Sequence, residues 1–194
     1  MNKVIAICGD SSSGKTTLSN RLENVLSSYN KSLLVLDCDR YHKWERSSDL
    51  LKKYTNLNPY SNHLDKLKSD IISLKDGEEV YQVDYDHKTG KFTDVKTIQP
   101  AEIIIVCGLH SIDATENISD FKVYLDTDED LKKKWKIARD TIERGYSEQQ
   151  VIESINKRKC DYELFILPQR EKADLIIRYY LGEDNEILKS VKIY

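Results

Sequence analysis

Val4-Ile5-Ala6-Ile7-Cys8-Gly9-Asp10-Ser11-Ser12-Ser13-Gly14-Lys15-Thr16 decides how this chain is read. Lys3 to Cys8 is a short apolar run ending at a glycine, which predicts a strand buried on both faces. Gly9 to Thr16 matches G-x-x-x-x-G-K-[ST] in full. Thr16 to Ser28 then carries Leu18, Leu22 and Leu26 at four-residue spacing, one apolar face of a helix. The order strand, loop, helix is what the chemistry of this motif requires. Glycines let the loop curl until successive N–H groups point at one anion, and the helix N-terminus adds its positive end. Gly9, Asp10, Ser11, Ser12, Ser13, Gly14, Lys15, Thr16 and Thr17 are therefore the expected nucleotide-binding residues. Lys15 is expected on the β- and γ-phosphates of ATP and Thr16 on Mg²⁺. The loop alone does not separate kinase from GTPase or ATPase, but no guanine-reading N-K-x-D follows it.

Outward from this stretch, Ser32–Asp37, Ala101–Cys107, Phe121–Asp126 and Ala173–Tyr179 repeat the buried-strand pattern, with helical stretches between most of them. Leu131, Trp135, Ala138 and Ile142 predict one apolar face of a late helix, and Ser147 with Gln150 a capping box that opens the next. This alternation predicts an α/β protein of the P-loop NTPase/kinase fold: a mostly parallel five-stranded sheet with helices on both faces. Glu79–Thr97 alternates around Lys88-Thr89-Gly90 and predicts an inserted β-hairpin. Asp184-Asn185, between Leu181 and Ile187, predicts a terminal turn and a last strand ending near Tyr194. One domain over residues 1–194 is the simplest account, with the hairpin at about 79–97.

Composition sets the outer bounds. The chain has 194 residues, 39% hydrophobic and 32% charged, enough to bury a core without disulfide or metal. Its 30 Lys and Arg against 33 Asp and Glu leave a net charge of −3, which argues against a basic nucleic-acid surface. Ile103 to Cys107 is the longest apolar run, far short of a membrane span, and the first residues lack a secretory pattern. Cys8, Cys38, Cys107 and Cys160 have no zinc spacing, so a cytoplasmic protein with reduced thiols is expected.

A kinase acting on a hydroxyl needs a carboxylate near the acceptor oxygen. Ligands of such sheets bind beyond the carboxyl ends of the strands, where Asp37-Cys38-Asp39-Arg40-Tyr41-His42-Lys43-Trp44-Glu45-Arg46 gathers acid, imidazole and cation. From about Val4 to Tyr194 the chain resembles the phosphoribulokinase/uridine kinase family of P-loop kinases, most closely its plant-type phosphoribulokinase branch. The resemblance lies in Asp39-Arg40-Tyr41-His42 after the second strand, Leu57-Asn58-Pro59 with Asn62 and Asp65, and Tyr85-Asp86-His87-Lys88-Thr89-Gly90 in the hairpin. It lies also in Lys136-Ile137-Ala138-Arg139-Asp140 with Glu143-Arg144-Gly145, a lid motif at about 139–147.

The resemblance implies roles residue by residue. Asp39 would be the base, with Lys15, Arg139 and Asp140 completing the catalytic set. Arg139 and Arg144 would bind the nucleotide phosphates. Asp39, Tyr41, His42, Arg46, Tyr85, His87 and Lys136 would face the acceptor, Arg46 on a sugar phosphate. Thr16, Asp37 and Asp39 are the expected metal contacts. Cys107 stands where the family carries a glutamate that helps hold Mg²⁺; if the second strand flanks the third, Asp37 could bring a replacement carboxylate. The implied activity is transfer of the ATP γ-phosphate to a hydroxyl of a sugar phosphate such as ribulose 5-phosphate. The alternatives are a uridine or cytidine kinase, or a catalytically impaired nucleotide-binding module. A small-molecule acceptor, a homo-oligomer, and neither nucleic acid nor membrane as partner complete the expectation.

Overall fold

A computed structural model describes residues 2–184 and 186–194. In chain order its elements are β1 (Lys3–Gly9), α1 (Lys15–Ser27), β2 (Leu33–Asp37), α2 (Leu50–Lys53), α3 (Leu64–Lys75), β3 (Val80–Asp86), β4 (Lys91–Ile98), β5 (Ile103–Gly108), α4 (Ser111–Ala114), β6 (Phe121–Thr127), α5 (Glu129–Arg144), α6 (Glu148–Asp161), β7 (Leu175–Leu181) and β8 (Ile187–Ile193). The main sheet runs β2-β5-β1-β6-β7-β8. Its first five strands are parallel, as expected, and β8 adds a sixth, antiparallel to β7. Asn185 of the expected terminal turn lies outside the described residues.

The apolar run of β1 is buried on both faces because its period of two feeds two cores. Val4 packs with Leu36, Ile104 and Val106 against Leu67, Ile71 and Leu74 of α3. Ile7 points the other way, with Ile105, Val123 and Leu125, against Leu18 and Leu22 of α1. Full burial of such side chains stabilises the sheet by roughly 1.5–3 kcal/mol each. The hairpin forms as expected but as its own two-stranded sheet, β3 with β4. Gly90, at φ 72°, supplies the left-handed residue of its turn. Ser147 and Gln150 close the expected capping box at α6.

One expected face does not hold. Leu131 is buried, but Ala138 is exposed and Ile142 is 83% exposed. The inward residues of α5 after its first turn are Lys136 and Asp140. This part of the helix lies over a polar cleft rather than an apolar core, so Ile142 faces solvent while Trp135 and Ala138 border the cleft.

Candidate functional site

The cleft, about 1360 Å³, opens at the carboxyl ends of the parallel strands. Its floor is the loop between β1 and α1. A Cβ at Gly9 would stand 2.7 Å from the carbonyl oxygen of Leu125, so only glycine allows β1 to pass β6 here. Gly14 caps α1 at φ 94°, and Ser12 is also left-handed at φ 65°. Lys15 Nζ bridges the loop, donating to the carbonyls of Gly9 at 3.0 Å and Asp10 at 2.8 Å. The hydroxyls of Ser12 and Ser13 are buried without a partner. Orphaned donors in a loop at a helix N-terminus suit a polyphosphate, so the residues present fit a nucleotide.

Asp10 departs from a simple phosphate-facing role. Its carboxylate accepts the Ser11 N–H at 2.6 Å and pairs with Lys132 of α5 at 2.9 Å and Arg158 of α6 at 3.5 Å. Burial would raise its pKa, but Arg158 and Lys132 outweigh it and hold the carboxyl below the usual range.

The second wall starts where β2 ends. Asp37 Oδ1 accepts the Asp39 N–H at 2.9 Å, and this turns the chain into a 3₁₀ turn over Cys38–Tyr41. Asp37 Oδ2 accepts from His87 Nε2 at 3.0 Å. Asp39 lies between two imidazoles, Oδ1 at 3.4 Å from His42 Nε2 and Oδ2 at 3.5 Å from His87 Nδ1. Burial pushes the Asp39 carboxyl up, but His42, His87 and Lys15 outweigh it and keep it well below the carboxylate range. His42 is raised because the charge of Asp39 overcomes its burial, and His87 is raised by its hydrogen bond to Asp37. Ligand atoms of Asp37, Asp39 and His87 all lie within 4.8 Å of one another.

β2 is the neighbour of β5, and Asp37 pairs in register with Cys107. The sheet thus brings a carboxylate beside the position where the glutamate was expected. Burial pushes the Cys107 thiol up to about 12, so it stays neutral and is a poor ligand for a hard cation. The Thr16 hydroxyl and the carboxylates of Asp37 and Asp39 are the oxygen donors that fit magnesium.

Tyr41 corrects an expectation. It is 1% exposed, packs in the core beneath α3, and donates its hydroxyl to Asp70 Oδ2 at 3.0 Å. In a 3₁₀ turn residues three apart share a face, so Tyr41 goes inward with Cys38, and His42, just past the turn, lines the cleft. Tyr85 also lines the cleft, its ring edge-on to His42 at 5.3 Å and His87 at 5.5 Å. Arg46 straps the hairpin tip: its backbone N–H meets the Gly90 carbonyl at 2.8 Å, and its guanidinium meets those of His87 at 2.7 Å and Lys88 at 3.2 Å.

The roof is α5. Asp140, 3% exposed, is the hub for Lys136 at 2.8 Å, Arg139 at 2.7 Å and Arg144 at 3.2 Å. It therefore acts through the cations around it. Arg139 also donates to the Ser11 hydroxyl at 3.2 Å, which joins roof to floor. Burial, then the nearby charge of Arg158, lowers Lys136 to about 8. Three cations on one carboxylate leave a surplus of positive charge facing the loop.

Arg158 and Asn56 also line this cleft and were not singled out from the sequence; Trp135, expected on an apolar helix face, lines it too, edge-on to Tyr179 at 5.9 Å. Arg158 and Asn56 come from separate elements and carry no local spacing signal. Among the described residues, no helix is long and apolar enough to cross a membrane.

Comparison with known proteins agrees with this geometry. The profile of the Phosphoribulokinase / Uridine kinase family matches residues 4–185. The phosphoribulokinase of Synechocystis sp. is 34% identical over 188 residues, covering 94% of this chain and 56% of its own length. The uridine kinase of Staphylococcus aureus is 32% identical over 180 residues, covering 90% of this chain and 86% of its own length. The chain spans about half the length of the curated phosphoribulokinases it matches. Among solved structures, the phosphoribulokinase from Rhodobacter spheroides superposes with a TM-score of 0.76 at 18% identity, over 95% of this chain and 72% of that one. At that identity the likeness speaks to the fold alone. With its profile match over nearly its whole length and the motif residues gathered in one cleft, the chain belongs to the phosphoribulokinase/uridine kinase family.

Proposed function

We propose that this chain is a single kinase domain that transfers the γ-phosphate of ATP to a hydroxyl of a sugar phosphate such as ribulose 5-phosphate. The observation that carries the reading is Asp39, set between His42 and His87 in the same cleft as Lys15, Arg139 and Arg144. Asp39 accepts the proton of the acceptor hydroxyl as that oxygen attacks. Lys15 and the Ser12 and Ser13 hydroxyls hold the polyphosphate, and Arg139 and Arg144 meet the charge that spreads onto the transferring oxygens. Thr16, Asp37 and Asp39 would hold magnesium, which supplies charge neutralisation at the phosphates when bound. The segment at about 139–147 acts as the lid, drawn to the floor by the Arg139–Ser11 contact.

An anionic acceptor suits this side of the cleft, where Arg46 can take a phosphate through its guanidinium fork and His42 and His87 offer further ring nitrogens. ADP release measured with ribulose 5-phosphate and with uridine tests the reading. Turnover of the sugar phosphate is expected, with Arg46→Ala raising its KM more than that of ATP. Equal effects on both would defeat the assignment of Arg46.

A nucleoside kinase is the second reading, and one observation favours it: the uridine kinase relative is matched over most of its own length. Preferred turnover of uridine would establish it. ATP binding without transfer to any acceptor would instead mark an impaired module, the outcome that the neutral Cys107 thiol motivates. Four free cysteines accord with a reducing cytoplasm. A homo-oligomer formed through the hairpin belongs to the same reading, with Tyr81 and Val95 exposed on its two strands; light scattering tests it.

A further inference from the structure

β3 changes its inward face partway along. Val80 and Gln82 are buried and Tyr81 between them is exposed, so the even-numbered residues face inward at first. From Tyr85 onward the odd-numbered ones do: Tyr85 is buried, and with His87 it lines the cleft. Asp84 stands at the changeover. There the ladder with β4 slips: Val83 pairs with Val95 but Tyr85 with Phe92, which sets two residues, Thr93 and Asp94, opposite the single Asp84. Such a bulge bends and twists the ribbon, and so re-aims the side chains beyond it.

Two cations hold this point. Arg40 Nη2 lies 2.8 Å from Asp84 Oδ1, and Arg40 Nη1 donates to the Val83 carbonyl at 3.4 Å. Lys96 pairs with Asp84 Oδ2 from β4. Asp84 Oδ1 also accepts the Tyr85 N–H at 3.0 Å, so one carboxylate ties the guanidinium to the backbone that carries the ring. The side chains of Arg40 and Asp84 are 18% and 26% exposed, so this pair is screened less than a surface one. Arg40 follows Asp39 in the same 3₁₀ turn. The contacts therefore close a circuit: Asp39 to Arg40 along the chain, Arg40 to Asp84, along β3 to His87, and His87 Nδ1 back to Asp39 Oδ2 at 3.5 Å.

We infer that Arg40 and Asp84 are a positioning pair: their clamp at the bulge sets the roll of β3, and so aims Tyr85 and His87 at His42 and Asp39. The inference rests on Asp39 being the base and deepens that reading. Arg40 and Asp84 both stand outside the lining of the cleft, so they act through the rings they place. Arg46 holds the hairpin tip through backbone carbonyls; Arg40 holds the strand where it rolls.

The test combines nuclear Overhauser contacts between ring protons with steady-state kinetics in the wild type, Arg40→Met, Arg40→Lys, Asp84→Asn and the Arg40→Met/Asp84→Asn double variant. Arg40→Met is expected to lose the contact between the Tyr85 and His42 rings, while keeping that between Trp44 and Tyr60, a cluster outside the clamp. For whichever of ribulose 5-phosphate and uridine turns over, its kcat/KM is expected to fall about tenfold, with KM for ATP within about twofold. The double variant is expected to lose no more than Arg40→Met alone, because either change breaks the same clamp. Arg40→Lys is expected to recover part of the loss by keeping a charge on Asp84. Asp84→Asn keeps an oxygen for the Tyr85 N–H; it is the milder break and gives the same two readings should Arg40→Met fail to fold. An unchanged contact between Tyr85 and His42 in these variants overturns the inference. Additive losses in the double variant, or a rise in KM for ATP equal to the acceptor effect, overturn it too. Full activity of Asp39→Asn would instead remove the base, while leaving the ring contact and its response to the clamp standing.

Discussion

His110 is a proton-driven weak point in the fold. It lies two residues past the end of β5, is 3% exposed, and its Nε2 has no partner. Burial drives its pKa down to about 4 from 6.5; Asp113 on α4 and a backbone hydrogen bond at Leu57 oppose this, and the charge of His42 adds to it. The sign follows from which state binds the proton. The unfolded chain takes it up near pH 6.5 and the folded chain only near 4, so stability is whole above 6.5 and falls as pH drops between those values. A gap of this size corresponds to about 3 kcal/mol, a large share of the net stability of a small domain. Urea unfolding of the wild type and His110→Leu, from pH 7.5 to 4, measures it. The difference between the two proteins removes the contributions of His42 and His87, whose raised pKa values act in the opposite sense in both. The wild type is expected to lose about 3 kcal/mol relative to the variant across that interval. Parallel stability curves would refute the reasoning, because they would mean that the imidazole charges in the folded state at no cost.

Other outcomes follow from the site. Arg139→Ala removes the bond to Ser11 and one lid cation; kcat/KM in an ADP-release assay is expected to fall by about 10²–10³, with the circular dichroism spectrum unchanged. Tyr41→Phe is expected to cost about 0.5–1.5 kcal/mol in urea unfolding while leaving both KM values alone, because its hydroxyl serves Asp70 in the core. Cys160 is exposed, whereas Cys8 and Cys107 are buried with thiols pushed up to about 12. Iodoacetamide on the native protein is therefore expected to label Cys160 alone, as read by peptide mass spectrometry.

Strand placement was legible because β1, β2 and β5 are continuous apolar runs and β6 and β7 are apolar runs broken only by Lys122 and Asp126 and by Arg178, the pattern a doubly covered parallel sheet needs. The loop from Gly9 to Thr16 was legible because its chemistry is local: one turn, two glycines and one lysine. The face of α5 was misread because Ile142 keeps helical spacing with Leu131 and Trp135, although the helix has left the core by then. Tyr41 was misread because a short 3₁₀ turn turns every third residue to one side, here Cys38 and Tyr41 to the core, and the motif does not say which residues go inward. Arg158 and Asn56 were missed because only tertiary structure brings α6 and the loop before Leu57 to one cleft. The partnership of Asp37 with Cys107 needed strand order, which the alternation of elements leaves open.

Arg46 also governs the width of the acceptor end. Three bonds to the carbonyls of His87, Lys88 and Gly90 bolt the hairpin tip to the segment after β2, so the tip is no swinging flap. His87 is carried on that tip and reaches Asp37 and Asp39 from it. Arg46, through two guanidinium bonds and one from its backbone N–H, therefore gauges the gap between two separate sheets. A lysine there, with a single ammonium on a flexible stem, would carry the charge but lose the calibration.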